Sequence, residues 1–201
     1  AADLHLNTKA TVGQKMKNKF DFNQTTEMLL KNASIIGKNL GVMDKYMQTY
    51  AKDSSMFILP KAHKFMEPVV KAYASNLEGF IEYLVHLRDQ FAKGDQHWLE
   101  IQAQYRRVNG RLVQQQRRER ASRACAKADE LYGPTDYHSR LQWVSDLEHG
   151  WAKRRLAFLD AYRSATGSDR LDVDTRAEAL AEFWDEVDTE IFEGKGIPPW
   201  N

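Results

Sequence analysis

The chain has 201 residues, 42% hydrophobic, 11% aromatic and 28% charged, with a net charge of +1. That much apolar and aromatic material excludes disorder throughout. A lone cysteine, Cys125, excludes an intrachain disulfide and fits a reducing compartment. No stretch approaches the roughly 18 consecutive apolar residues of a membrane-spanning helix. A chain that starts at Ala1 is expected to be either a processed mature protein or an excised piece.

Residues 1–10 read as a polar lead-in with little apolar face. A first helix is expected over about Thr11 to Asp53, its seam running Leu29, Ala33, Ile36, Leu40, Met43 and Met47 in alternating steps of three and four. Gly37 and Gly41 lower its propensity by about 1 kcal/mol each relative to alanine, or else permit close helix approach. After a turn with an apolar patch, Met56 to Leu59, Pro68 suits the first turn of the next helix.

The second helix carries the strongest pattern. Leu77, Phe80, Leu84, Leu87 and Phe91 lead in phase to Trp98, Ile101 and Tyr105, then Val108 and Leu112. The one gap falls at Gly94, where Asp95 could cap a new helix. Because Trp98 resumes seven residues after Phe91, the pattern predicts one continuous helix of about 65 residues, roughly 100 Å long. Beyond Leu112, Gln115, Glu119 and Ser122 take the seam positions, so the distal part reads as a polar, arginine-rich, alanine-padded tip.

Gly133-Pro134 stops that helix, and Thr135 or Asp136 can cap the third. Trp151 and Phe158 lie on its seam, which closes at Thr166-Gly167-Ser168. A shorter fourth helix is expected over about Asp174 to Glu193, followed by an extended tail, 194–201, containing Pro198-Pro199-Trp200. The expected fold is therefore all-α: an elongated antiparallel bundle of three long helices plus a shorter C-terminal helix, a single domain over 11–193.

Near-neutrality conceals a strong polarity. Arg106, Arg107, Arg111, Arg117, Arg118, Arg120, Arg123 and Lys127 face only Glu119 in their segment, whereas residues 169–193 hold ten acids against Arg170 and Arg176. If the chain folds back at Gly133-Pro134, then Lys153, Arg154 and Arg155 come level with residues 112–114. Two separate basic clusters would then share one zone, which points to an anion-binding surface.

No phosphate-binding glycine loop, nucleophile elbow or metalloprotease helix occurs, so neither an enzyme nor a cofactor is indicated. Asp146 with His149, and Glu82 with His86, are half-motifs that make no metal site. Arginine and Lys127 near Cys125 would favour a lowered thiol pKa, but a small residue on a polar helix is the simpler reading. For nucleic acid the arginines lack an accompanying motif, and Trp98, Tyr105 and Trp151 are expected in the seam rather than on display. An anionic membrane, worth about 1 kcal/mol per nearby Lys or Arg, is the better match.

Thr26 through Tyr50, a regular seam closing on a tyrosine, is similar to the first helix of the BAR domain superfamily of membrane-curving dimers. Trp151-Ala152-Lys153-Arg154-Arg155-Leu156-Ala157-Phe158, a tryptophan, basic residues and then an aromatic, resembles that family's third helix. The resemblance implies a cytoplasmic, peripheral-membrane homodimer that senses or shapes curvature. It sets Trp151 and Phe158 in the shared bundle and the basic residues against lipid headgroups. The acidic C-terminal segment and the Pro-Pro-Trp tail suit another expectation: a non-catalytic accessory subunit held among other subunits of a large assembly, such as a mitochondrial membrane complex.

Overall fold

The computed structural model describes residues 23–50 and 60–200. The lead-in 1–10, the start of the first helix and the Met56–Leu59 patch lie outside the described residues. Those described are all-α, with five helices: α1 (Thr26–Tyr50), α2 (Pro60–Arg88), α3 (Gln96–Tyr132), α4 (Tyr137–Thr166) and α5 (Val173–Glu193). They fall into two compact units. One takes α1, α2 from Lys61 and α3 as far as Glu119; the other takes α3 from Arg120, α4, α5 and the tail.

The expected continuous helix over 68–132 is corrected to two. After Arg88 the chain tightens into three-residue hydrogen bonds, Gln90 N–H to the Leu87 carbonyl and Phe91 N–H to that of Arg88. Gly94 then takes φ +94°, a region open to glycine and costly for other residues. Asp95 starts α3: its carboxylate accepts from His97 N–H (2.8 Å) and its carbonyl from Leu99 N–H. Phe91 sits in this turn with its ring 4.9 Å from that of His97. The seam stays in phase because α2 and α3, folded back on each other, turn their stripes toward one core.

In the first unit, numbered contacts give the directions. Tyr83 Oη donates to the Leu29 carbonyl (2.7 Å) and Tyr73 Oη to Asp44 (2.7 Å), so α1 and α2 run antiparallel. Arg88 donates to Gln102 (2.7 Å), and its guanidinium lies 5.7 Å from the ring centroids of both Trp98 and Tyr105. That makes α2 and α3 antiparallel as well. Gly37 opposite Gln104 and Asp44 opposite Arg111 place α3 parallel to α1. The unit is an up-down-up bundle whose core holds Leu29, Ile36, Leu40, Met43, Leu77, Phe80, Leu84, Leu87, Ile101 and Tyr105, all buried. A Cβ on Gly37 would meet the tip of the Gln104 side chain, Nε2 at 2.9 Å, so the glycine leaves room for that amide. Thr25 caps α1 by accepting from Met28 N–H.

In the second unit, the alanine-padded part of α3 is core rather than tip. Ala121, Ala124, Cys125 and Ala128 are buried against Trp143, Trp151, Phe183, Val187 and Ile191. Small side chains on one helix leave room for tryptophans on its neighbours, which a seam counted in large residues does not register. Asp136 caps α4 by accepting from Ser139 N–H, and Gly167 closes it in the left-handed region. Asp172 and Gly194 do the same for α5. The tail docks on its own unit: Trp143 Nε1 donates to the Pro198 carbonyl (2.9 Å), Trp200 Nε1 to that of Gly133 (2.8 Å), and Ile197 is buried.

Gly94→Ala is expected to cost about 1–2 kcal/mol through its positive φ. Asp95→Ala should cost about 1 kcal/mol through the lost cap. Urea unfolding monitored by far-ultraviolet dichroism measures both, and an unchanged midpoint for both would contradict the turn.

Candidate anion-binding face

The outer surface of α1 divides into two lines. Its buried line, Leu29 to Met47, faces the core. About 120° round the helix from that line stand Met28, Ile35 and Val42, seven residues apart and exposed by 51%, 39% and 65%. About 60° further round, at the same interval, run the exposed Lys31, Lys38 and Lys45. The next strip round α1, which includes Ser34 and Gly37, borders α3.

The facing edge of α3 carries Arg107, Arg111 and Arg118. Arg111 Nε lies 3.3 Å from Asp44, a carboxylate already accepting from Tyr73 Oη and itself 14% exposed. Burial and the Asp44 carboxylate push the Tyr73 hydroxyl far above its usual range, so it remains a donor. Arg118 is half-buried close to the same pair, and burial lowers its pKa. Lys31, Lys38 and Arg107 have no carboxylate partner among the described residues. Against these cations stand Glu27, Asp44 and Glu100. The first unit thus gathers positive charge along one face, from lysines that the arginine-centred reading passed over. Their seven-residue interval was visible in the sequence.

Other basic residues are differently placed. Arg106, one position along and about 100° round α3 from Arg107, is exposed outside this face. Arg117 is exposed as well. In the second unit α5 supplies carboxylates to several of the basic residues. Arg120 Nε reaches Asp188 Oδ1 at 2.9 Å, and its guanidinium lies 4.0 Å from the Trp184 ring centroid. Arg123 shares Asp188 at 3.1 Å. Arg154 makes two hydrogen bonds to Glu190, at 2.8 and 2.9 Å, with Glu186 near. Lys127 pairs with Glu130 at 3.4 Å. Lys153 stays exposed without a carboxylate partner among the described residues, while Arg155 Nε is buried with no hydrogen-bond partner.

The remaining chemistry is spare. His149 Nδ1 lies 2.7 Å from the Ser145 carbonyl, and the described residues bring no three metal-ligating side chains together. Burial pushes the Cys125 thiol up to about 12, outweighing the nearby Arg140. No helix among the described residues is long and apolar enough to cross a membrane. Comparison with protein-family models, with curated proteins and with solved structures finds no match to this chain.

Asp188→Asn should destabilise the fold by about 2 kcal/mol, since it leaves the buried Arg120 guanidinium without its counter-charge. The figure is set below the 3–5 kcal/mol of fully buried pairs because Asp188 is 33% exposed. Urea denaturation measures it, and a shift under about 0.5 kcal/mol would show that the pair contributes little. The Cys125 thiol, protonated at every pH below about 12, should resist alkylation in the native protein and react at once in denaturant.

Proposed function

We propose that this chain is a non-catalytic, BAR-like helical module that binds anionic membrane surfaces as a peripheral protein, through the α1–α3 face of its first unit. One observation carries the reading: an exposed apolar line (Met28, Ile35, Val42) runs beside a lysine line (Lys31, Lys38, Lys45) on a single helix, flanked by the arginine edge of α3. A helix lying in the headgroup plane uses that combination, burying its apolar line while flanking cations meet lipid phosphates. Each such cation contributes about 1 kcal/mol near an anionic surface.

The BAR resemblance, carried by Thr26–Tyr50 of α1 and Trp151–Phe158 of α4, is the source of this reading. Its curvature component depended on an uninterrupted rod over 68–132, which the Gly94–Asp95 turn divides, and the binding function stands without it. The accessory-subunit reading drew on the acidic segment and the Pro-Pro-Trp tail. Asp188, Glu190, Ile197 and Trp200 of those segments are engaged within their own unit.

Co-sedimentation with phosphatidylcholine vesicles, with and without phosphatidylserine, tests the function. Binding is expected only with the anionic lipid and should weaken with salt. The double variant Lys31→Gln/Lys38→Gln should lower partitioning about 30-fold, from two lost contributions. Ile35→Ser/Val42→Ser should lower it without altering the salt dependence. Equal, negligible pelleting of the wild-type chain in both lipids would remove the proposal.

A further inference from the structure

Between α1 and α3 in the first unit lies a groove of about 480 Å³, within the roughly 300–1,000 Å³ range typical of ligand sites. Gly37, with no side chain to fill it, lines one wall beside the Gln104 amide, and the groove's apolar floor includes Ala33, Leu40, Phe80 and Val108. In the parallel register of α1 and α3, Ser34 and Glu100 lie toward one end of the groove, Arg107 and Arg111 toward the other, and Gln104 and Lys38 between them. Lys38, Arg107 and Arg111 supply cations, and Ser34, Gln104 and Glu100 supply neutral and acidic groups.

These two sets of groups ask for different things of a ligand. Guanidinium groups one turn apart on α3 suit phosphate oxygens, which they can grip with paired N–H donors, and Lys38 adds a point charge from the opposite wall. The Asp44 ion pair holds Arg111 through Nε, which lowers the ordering cost of binding but offsets part of its charge, so Lys38 and Arg107 supply most of the attraction for a phosphate. Glu100 would repel a bare polyanion but accepts hydrogen bonds from hydroxyl groups, as the Ser34 hydroxyl and Gln104 amide also can. Glu100 is tethered by Gln96 Nε2 at 2.9 Å.

We infer that the α1–α3 groove is a binding site for a phosphorylated polyol, its phosphates on Lys38, Arg107 and Arg111 and its hydroxyls on Glu100, Gln104 and Ser34. The same chemistry is offered by an inositol phosphate lipid headgroup and by a soluble inositol or sugar phosphate. The lipid form rests on the membrane reading above and gives it headgroup selectivity; the soluble form does not need it.

The test has two arms, run on the full chain. Calorimetric titration with inositol 1,4,5-trisphosphate probes the groove without any membrane. Co-sedimentation probes it with one, comparing vesicles that contain phosphatidylinositol 4,5-bisphosphate with phosphatidylserine vesicles matched in total charge. Saturable binding of the soluble probe is expected, together with preference for the phosphoinositide vesicles. Lys38→Gln/Arg107→Gln should weaken probe binding by at least about tenfold, one lost charge-assisted hydrogen bond being enough. Ser34→Leu, which crowds the groove and removes no charge, should weaken it too. Arg106→Gln/Lys153→Gln removes the same charge outside the groove and should leave probe binding within about twofold.

Binding of the soluble probe with no vesicle binding upholds the groove and removes the membrane reading. Equal binding to the charge-matched vesicles with no soluble titration overturns the groove and leaves the membrane reading standing. Equal losses in the groove and control variants also overturn it, since they mean diffuse charge. Absence of binding in both arms overturns both.

Discussion

The reversal between Arg88 and Gln96 is the constraint on which the first unit depends. Gly94 supplies a backbone conformation that other residues adopt only at a cost, and Asp95 at once satisfies the first amide groups of α3. Arg88 seals the turn from the other side, bonded to Gln102 and packed near Trp98 and Tyr105. Without that reversal the arginine edge of α3 would not lie parallel to the lysine line of α1. The cationic face and its groove thus follow from seven residues, 89–95, none of which lines the groove.

The distribution of charge obeys a different rule in each unit. Around α5, carboxylates meet arginines at short range: Asp188 serves Arg120 and Arg123, and Glu190 serves Arg154. Those pairs spend their charge on holding helices together, with Trp184 and Phe183 adding aromatic surface beneath the guanidinium groups. In the first unit Asp44 is the partly buried acid that engages Arg111, while Lys31, Lys38 and Arg107 keep their charge toward solvent. A net charge near zero therefore describes neither unit.

Much of the helical content was readable from the residues. The Gly133-Pro134 stop, the Asp136 cap, the close at Gly167 and the extent of α5 were all signalled by capping chemistry, which is local and needs no knowledge of neighbours. Periodicity was less decisive. The seven-residue step from Phe91 to Trp98 is shared by a straight helix and by two helices facing one core, and only the Gly94-Asp95 pair separates them. The burial of Ala124 and Ala128 was hidden for a related reason, since small residues become core only when a tryptophan is brought opposite. At the candidate site, Arg107 and Arg111 stood out through local density, but Lys31 and Lys38 gained meaning only once α3 lay beside α1. Which arginines would be neutralised by α5 was a matter of tertiary pairing and had no local signature.

The placement of the indole groups has a practical consequence. Of the five tryptophans, Trp98 belongs to the first unit, whereas Trp143, Trp151, Trp184 and Trp200 gather in the second, three of them in ring contact with a neighbouring tryptophan's or phenylalanine's π-system on α5 or the tail. Intrinsic emission is consequently weighted toward the second unit, four indoles to one, while amide dichroism sums over both. Comparing the two signals during heating separates the melting of the cationic bundle from that of its aromatic companion, with no label attached.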